Sequence, residues 1–346
     1  MADKKKDKKP EPKKGAKGKK PSRKGKGKGL GRGARVFLTL IGLAVVVMGA
    51  YVGIDLLGKQ LRAAKTMEVA VDLEVGGNGT EPGRFNEPWG LCMDRDGNLV
   101  VADFGNHRLQ VFDAQGSVVR VIGERGDKEG QFEQPTIAWA DPDGNLFVAD
   151  TFNYRVQKLD SKGKFLGQWK RSFFGPRGIV GDGKGRVYIT DTGNHKIQVF
   201  DPEGRFLKEF GRGPGSKEDE FHEPQGSATD PEGNLYVCDT ENRRIKKYNA
   251  KGELQYTFKV PGWKGKCCES AYAVWGQGSL FVTHASDAAV LRINPDNGKV
   301  LAIYKRPGGF QNACGITMDA QGRLWVSLKS AHKVVRFMPP PIASRK

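Results

Sequence analysis

The 346-residue sequence contains only five cysteines and five histidines, and no two cysteines form a Cys-x-x-Cys pair. Zinc ribbons, haem-attachment motifs and RING-type ubiquitin-ligase modules are recognised by that kind of spacing, so these three classes are excluded. The Trp-Asp dipeptide of one common repeat class is absent as well. Two further absences divide the chain: residues 1–35 contain no aromatic residue, and residues 36–54 contain no charged one.

Residues 1–35 form a strongly basic segment. They hold sixteen Lys or Arg residues against three acidic ones, which gives +13 of the formal net charge of +18 and leaves +5 for the rest of the chain. With so few apolar residues, the segment cannot bury enough surface to offset the entropy lost on ordering. We therefore expect a disordered Lys/Arg-rich tail over residues 1–35.

The uncharged run at 36–54 is nineteen residues long. As a helix it would span about 28 Å, close to the thickness of the hydrocarbon core of a bilayer. We predict a transmembrane signal-anchor helix over residues 36–57, and then a juxtamembrane connector over residues 58–68 that could continue the helix. A cleaved signal peptide is the alternative, but its apolar region is usually about 7–15 residues long and ends in a small-x-small site.

The basic tail also predicts the topology. Positive charge concentrates on the cytoplasmic side, so the N-terminus is expected in the cytoplasm and the repeats in the periplasm, a lumen or the cell exterior. The tail charges would then lie on anionic lipid, where each contributes on the order of 1 kcal/mol. Such a tail would also bind a polyanion such as RNA. The remaining charge of +5 and the predicted side of the membrane argue against nucleic-acid binding by the repeats.

A repeat of about 45 residues fills most of the remaining chain. Two clear copies are DGNLVVADFGNHRLQVFD (96–113) and DGNLFVADTFNYRVQKLD (143–160). A shared glycine recurs at spacings of 47, 41, 48, 45 and 44 residues, namely at Gly97, Gly144, Gly185, Gly233, Gly278 and Gly322. Apolar residues alternate over short runs separated by Gly, Asp and Asn, which is typical of strands joined by tight turns. Six repeats of four strands predict an all-β fold, a six-bladed β-propeller over residues 69–338.

The two ends of the repeat region predict how the ring closes. The sixth copy runs into Pro-Pro-Pro and a C-terminal tail at 339–346, so it lacks an outer strand. An extra strand, Val69–Val75, precedes the first copy and is followed by a glycine-rich loop. We expect it to complete blade six and to join the two ends of the ring.

Several short motifs resemble NHL repeats: G-x-F-x-x-P at 83–88 and 130–135, D-G-N-L-x-V-A-D at 96–103 and 143–150, and N-H-R/K at 106–108 and 194–196. The resemblance covers about residues 69–338 and implies a six-bladed propeller. It does not imply one function, because members of this family bind RNA, bind proteins, sense extracellular ligands or catalyse lyase chemistry.

An Asp at the end of the second strand and an Asn three residues later recur in four copies, as Asp103 and Asn106, Asp150 and Asn153, Asp191 and Asn194, and Asp239 and Asn242. Recurrence at one position in each copy favours a structural role over a metal array. Both side chains can cap their own turn, and the basic residue that follows can pair with a neighbouring Asp.

The informative positions are those where the blades differ. In a propeller, the segment leading into the innermost strand borders the central channel, and its variable residue is the x of Pro-x-Gly. These six channel-mouth positions are the predicted ligand-binding residues: Trp89, Thr136, Arg177, Gln225, Ser270 and Cys314. Trp89 and Arg177 are the strongest candidates because Trp and Arg most often dominate binding energy.

Two enzymatic alternatives use the same channel. The peptidyl-amidoglycolate lyases, which this fold resembles, carry metal-binding His at the channel mouth, but none of the five His residues here occupies a mouth position: His107, His195, His222, His284 and His332. This argues against a zinc site of converging imidazoles. Similar lactonase-like hydrolases bind calcium through carboxylate and amide oxygens, for which Gln225 is the one mouth-position candidate. We expect no cofactor, with calcium and zinc left open.

The cysteines fall into two groups. Cys92 and Cys238 lie on predicted strands and are interpreted as small buried hydrophobes. Cys267 and Cys268 are adjacent in the loop before blade five, and Cys314 lies at the mouth position of blade six. Outside the cytosol the alternatives are a disulfide within the adjacent pair, a disulfide from one of them to Cys314, or free thiols.

Together these features predict a single-pass membrane protein that presents an extracytoplasmic propeller for binding or scaffolding. A protein partner or a small ligand would bind at the channel mouth. The alternative is an extracytoplasmic metal-dependent lyase or lactonase-like hydrolase acting in the channel. A sensing role would need a separate cytoplasmic partner, because residues 1–35 contain no catalytic motif.

Overall fold

The computed structural model of the chain describes residues 64–264 and 270–342. The predicted basic tail, the predicted transmembrane helix at 36–57 and residues 58–63 of the predicted connector lie outside these ranges. Cys267 and Cys268 do so too. Within the two ranges, no helix is long and apolar enough to cross a membrane.

The described ranges are built of short strands. Two precede the repeats: Lys65–Glu68 (β1) and Val71–Gly76 (β2). The first blade contains Pro88–Met93 (β3), Leu99–Asp103 (β4), Arg108–Phe112 (β5) and Val118–Ile122 (β6). The second contains Pro135–Ala140 (β7), Leu146–Asp150 (β8), Arg155–Leu159 (β9) and Phe165–Trp169 (β10). The third contains Pro176–Gly181 (β11), Val187–Asp191 (β12), Lys196–Phe200 (β13) and Phe206–Phe210 (β14).

The remaining blades repeat this pattern. The fourth contains Pro224–Thr229 (β15), Leu235–Asp239 (β16), Arg244–Tyr248 (β17) and Leu254–Lys259 (β18). The fifth contains Ala273–Gly276 (β19), Ser279–His284 (β20), Ala289–Ile293 (β21) and Val300–Lys305 (β22). The sixth contains Ala313–Met318 (β23), Leu324–Leu328 (β24) and Lys333–Phe337 (β25). Short 3-10 helices follow the second strand of four blades: Phe104–Asn106, Thr151–Asn153, Ala285–Asp287 and Lys329–Ala331.

The strands pair into six sheets, one for each blade, and the four blade strands of each sheet are antiparallel. In every sheet the innermost strand pairs with the second, the second with the third, and the third with the outer strand. The all-β, six-bladed propeller is confirmed. The second strands β4, β8, β12, β16 and β24 are buried along their whole length, since blades pack against both of their faces.

The ring closes as predicted. Strand β2, at the predicted position of the extra strand, pairs antiparallel with β25 and supplies the outer strand of blade six. Val75 faces Val334 in this ladder, and Asp72 forms an ion pair with Arg336 at 3.0 Å. The closing sheet therefore joins residues more than 250 positions apart in the chain.

The last residues of the predicted connector differ from expectation. Lys65–Glu68 forms β1, which pairs parallel with β22 and adds a fifth strand to blade five. A helical continuation is therefore wrong for these four residues. Their backbone groups pair with the free edge of β22, which a helix would have left unpaired.

The repeats give the propeller two different faces. At one face each innermost strand begins and each second strand ends, as the pairing of Pro88 with Asp103 shows for blade one. We call it the mouth face, because it carries the six channel-mouth positions. The opposite face, the hairpin face, carries tight turns such as Asp94–Gly97, in which Gly97 adopts a φ of 79° that favours glycine.

Candidate functional site

The recurring Asp residues of the motif hold each blade together. Asp150 is fully buried, its Oδ1 accepts the backbone N–H of Glu133 at 2.7 Å, and its Oδ2 accepts from Asn153, Arg155 and Gln157. The same arrangement recurs in other blades around Asp103, Asp191 and Asp239. The structural interpretation of these residues is confirmed. In three blades the basic partner, Arg108, Arg155 or Arg244, pairs with the Asp of its own repeat, whereas we expected an Asp next door. In blade three Lys196 pairs with Glu209 on the outer strand instead.

Three of the five histidines join neighbouring blades. The Nδ1 atoms of His107, His195 and His332 each accept the backbone N–H that precedes the next Pro-x-Gly segment, at 3.2, 3.0 and 3.0 Å. Burial lowers the pKa of His107 and of His195, which favours the neutral ring that can accept this bond. Across residues 64–264 and 270–342, no three His, Cys, Asp or Glu side chains lie close enough together to hold a metal ion.

Most predicted mouth-position residues lie inside the propeller. Five of the six are buried: Trp89, Thr136, Gln225, Ser270 and Cys314. Arg177 is the one that is partly exposed. Cys314 is a free thiol, and burial raises its pKa to about 12, so it is not a reactive thiolate at neutral pH. For the calcium alternative, the Gln225 Oε1 atom lies buried without a hydrogen-bond partner in the described part of the chain.

Trp89 is the centre of the channel mouth. Its ring packs against Phe104, with 4.6 Å between ring centroids. The charged groups of Arg177 and Lys329 lie 5.8 and 4.1 Å from the Trp89 ring, within the range of cation–π contacts. Tyr272, from blade five, donates its hydroxyl to the backbone carbonyl of Arg177 at 2.7 Å. Residues from blades one, three, five and six therefore meet at the channel mouth.

Beside this centre lies a cleft of about 220 Å³ between blades two and three. Three aromatic rings line it and remain exposed: Phe152 by 44%, Tyr154 by 45% and Phe174 by 56%. The rings of Tyr154 and Phe174 are stacked at 5.7 Å with an interplanar angle of 11°. Arg177 and the carboxylate-bearing Glu223 also line the cleft. We call these five residues the aromatic cleft.

Local backbone structure fixes the three rings. Phe152 lies in the 3-10 helix of blade two, and Tyr154 follows it with a left-handed φ of 52°. The backbone N–H of Phe174 donates to Asp191, and its carbonyl accepts from the N–H of Gly193. The motif network that holds each blade thus also holds the rings of the cleft.

Sequence reasoning missed these three rings, although a signal was available. The residue two positions after the motif Asp is glycine in blades one and three but Phe152 in blade two. The residue two positions further is His107 and His195 in those blades but Tyr154 in blade two. Variation inside the recurring turn, rather than at Pro-x-Gly alone, identifies two of the three rings, Phe152 and Tyr154.

The channel itself opens on the hairpin face. A cavity of about 260 Å³ is lined by the innermost strands of all six blades, mainly by apolar residues such as Leu91, Ile137, Ile179 and Ile316. Tyr272 lines its inner end. None of the six mouth-position residues lines this cavity.

Two stretches of the chain match protein-family models. Residues 85–112 match the NHL repeat, and residues 186–286 match the SMP-30/gluconolactonase/LRE-like region. Among curated proteins, 45 residues are 44% identical to E3 ubiquitin-protein ligase TRIM71 of Xenopus tropicalis, and 49 residues are 43% identical to Protein wech of Drosophila melanogaster. These matches cover 13% and 14% of this chain and 6% of each relative.

Among solved structures, a streptogramin B lyase superposes with a TM-score of 0.53 at 17% identity, covering 75% of this chain and 95% of that one. A catalytically inactive virginiamycin B lyase from Staphylococcus aureus with quinupristin gives a TM-score of 0.57 at 16% identity, covering 78% and 88%. At such low identity the likeness shows the fold alone.

Proposed function

We propose that this chain, an NHL-repeat six-bladed β-propeller, is a protein-binding module that a single transmembrane helix holds on the extracytoplasmic side of a membrane. An NHL propeller scaffold fits a protein-binding module. The observation that supports the proposal most is the aromatic cleft on the mouth face, which is where we place the partner.

The composition of the cleft favours a binding surface. Phe152, Tyr154 and Phe174 leave three adjacent rings in contact with solvent, together with Arg177. Aromatic residues and Arg carry most of the energy of protein interfaces. Several other exposed apolar side chains, such as Leu166 on β10, lie on outer strands and do not line the cleft.

The size of the cleft favours a protein partner over a small substrate. Ligand pockets for drug-sized molecules are usually about 300–1,000 Å³, and this cleft holds about 220 Å³. A space of that size suits a single side chain inserted from a partner surface. Trp89 has a supporting role in this proposal, since its buried ring holds Arg177 and Phe104 in place.

Membrane presentation rests on the sequence. The uncharged run at 36–54 and the sixteen basic residues before it favour an anchor with a cytoplasmic N-terminus. Cysteine labelling with a membrane-impermeant reagent tests this topology on intact cells. A cysteine introduced at Lys184, in an exposed turn of the propeller, should be labelled from outside, and one introduced at Lys13 should not. Labelling in the reverse order would contradict the topology.

Partner capture by the full chain tests the binding face. We expect Phe174→Ala, made in the membrane-embedded protein, to abolish cross-linking to the partner that the unchanged chain captures. Leu166→Ala is the matched control, because Leu166 is exposed by 51% and lies on an outer strand. Equal capture by both variants would contradict a binding role for the cleft.

The alternative is a metal-dependent enzyme acting in the channel, which the match of residues 186–286 to the SMP-30/gluconolactonase/LRE-like region supports. Elemental analysis of the purified chain, before and after chelation, separates the two. We expect partner capture to survive chelation. A stoichiometric metal whose removal abolishes both capture and a hydrolytic or lyase activity would favour the enzyme.

A further inference from the structure

Arg177 has an unusual electrostatic position on the mouth face. It forms no ion pair within residues 64–264 and 270–342, although it is partly buried. Other basic residues near the channel mouth are paired: Lys329 with Glu87 at 3.3 Å and Arg108 with Asp103 at 2.9 Å. Its guanidinium lies against the Trp89 ring. The Arg177 side chain can therefore supply hydrogen-bond donors to an incoming acidic group without breaking an existing ion pair.

Arg177 also borders the aromatic cleft, in which Phe174 belongs to the same segment three residues earlier. If a ligand places an aromatic ring in the cleft, the chemical group next to that ring in the ligand therefore lies beside the Arg177 guanidinium. Arg binds carboxylates with two parallel hydrogen bonds, and its planar group suits that geometry better than a lysine would.

We propose that the aromatic cleft binds a peptide segment of the partner protein in which an aromatic residue stands beside an acidic one. The aromatic ring stacks against Phe152, Tyr154 and Phe174, and the carboxylate receives hydrogen bonds from the Arg177 guanidinium. This inference rests on the proposed binding function and adds the chemistry of the ligand.

The local charge favours a carboxylate over a more highly charged group. Arg177 supplies one unpaired positive charge, Lys329 is neutralised by Glu87, and Glu223 lies on the cleft wall. A single negative charge is complementary to this arrangement. A phosphate or a nucleic-acid backbone would bring more negative charge next to Glu223 and would be repelled.

Three labelled octapeptides test the proposal, with Glu-Phe-Glu, Gln-Phe-Gln or Glu-Ala-Glu at their centres and Ser and Gly elsewhere. Their binding to the full chain in detergent micelles is measured by fluorescence anisotropy. We expect the Glu-Phe-Glu peptide to bind roughly tenfold more tightly than the Gln-Phe-Gln peptide, which corresponds to about 1.4 kcal/mol for one partly exposed charged contact. The Glu-Ala-Glu peptide should bind most weakly.

Two variants test whether Arg177 causes the tenfold difference in affinity. Arg177→Gln should reduce the tenfold ratio to about one and leave the Gln-Phe-Gln affinity unchanged, because the ring contacts persist. Arg243→Gln is the matched control: Arg243 is an exposed arginine after the second strand of blade four, so the ratio should stay near ten. A ratio that survives Arg177→Gln, a ratio near one in the unchanged chain, or no binding by any peptide would overturn the proposal.

Failure of the carboxylate assignment can be distinguished from failure of the proposed protein-binding function. If Phe174→Ala abolishes partner capture while the Glu-Phe-Glu and Gln-Phe-Gln peptides bind equally, the cleft binds a partner but the carboxylate assignment is wrong. If single-stranded RNA displaces the Glu-Phe-Glu peptide when both are present at equal concentration, the assignment of a peptide as the ligand is wrong as well.

Discussion

Lys246 is a fully buried lysine, and replacing it should stabilise the propeller. Its ammonium donates to the backbone carbonyls of Glu218 and Glu220 at 2.8 and 2.6 Å and lies 4.3 Å from the centre of the Phe221 ring. The matching position in three other blades is glutamine: Gln110, Gln157 and Gln198. The amide of each donates to the motif Asp, and the amides of Gln110 and Gln157 also donate to a carbonyl of the equivalent loop. We predict that Lys246→Gln raises the free energy of unfolding at pH 7.

The size of this increase in the free energy of unfolding follows from the pKa of Lys246. Burial lowers this pKa from 10.5 to about 8, and a shift of that size costs about 3 kcal/mol while the group is charged in both states. The ammonium reaches three backbone carbonyls, those of Lys217, Glu218 and Glu220, and Gln has two amide donors, so roughly one carbonyl contact is lost, worth about 1 kcal/mol. The expected gain at pH 7 is therefore about 2 kcal/mol.

The pH dependence has a definite sign. Between pH 8 and 10.5 the unfolded chain binds more protons at Lys246 than the folded chain, so the unchanged protein gains stability as pH rises through this window. Below pH 8 the full cost of the buried charge is present. The advantage of Lys246→Gln should therefore be constant below pH 8 and should disappear by about pH 10.5.

Urea unfolding of the full chain in detergent, at pH 7 and pH 10, measures the difference. Lys251→Gln is the control, since Lys251 lies exposed in a nearby turn, and it should change stability by less than about 0.5 kcal/mol at either pH. A loss of 2 kcal/mol for Lys246→Gln at pH 7, or a difference that does not depend on pH, would refute the reasoning.

Three further predictions concern the hydrogen bonds of the mouth face and the strand that closes the ring. The folded protein has a lowered His195 pKa, so the contribution of His195 to folding stability is complete above pH 6.5 and is lost as the pH falls. With His195→Asn, the melting temperature should therefore fall less below pH 6.5 than it does in the unchanged protein; an unchanged pH profile would contradict this. Arg155→Lys should cost about 2–3 kcal/mol in urea unfolding, because a lysine cannot replace the contacts of the buried guanidinium with Asp150 and three loop carbonyls; a cost below about 1 kcal/mol would argue against that network. Val75→Asp should cost more than about 3 kcal/mol and expose the ring ends to protease, because it places an unpaired charge in the closing strand; unchanged protease resistance would mean that β2 does not close the ring.

The fold was predictable because each repeat contains recognisable turn residues. The turn glycine and the alternating apolar run recur six times at a nearly constant spacing, so the strand pattern could be read in each copy. The closing strand was predictable from the missing outer strand of blade six. Strand β1 was not, because Lys65–Glu68 shows no apolar alternation.

The site was less predictable, for a physical reason. Mouth positions such as Thr136 and Gln225 differ between blades, but they are buried where the blades converge, so their variation reflects packing. Arg177, one of the two strongest candidates from the sequence, is the mouth position that lies partly exposed and borders the cleft. The rings of Phe152 and Phe174 become a cleft only when blades two and three are placed side by side, which no single repeat reveals.

Photo-cross-linking from single positions in the intact membrane tests the binding function most directly. A photoreactive benzoylphenylalanine replaces Phe152 on the mouth face or Lys184 in the turn at the hairpin face. We predict a covalent adduct with a protein partner from position 152 and none from position 184, with the adduct at position 152 lost when Arg177→Glu is added. Cross-linking from position 184 but not from position 152 would contradict a partner bound at the aromatic cleft.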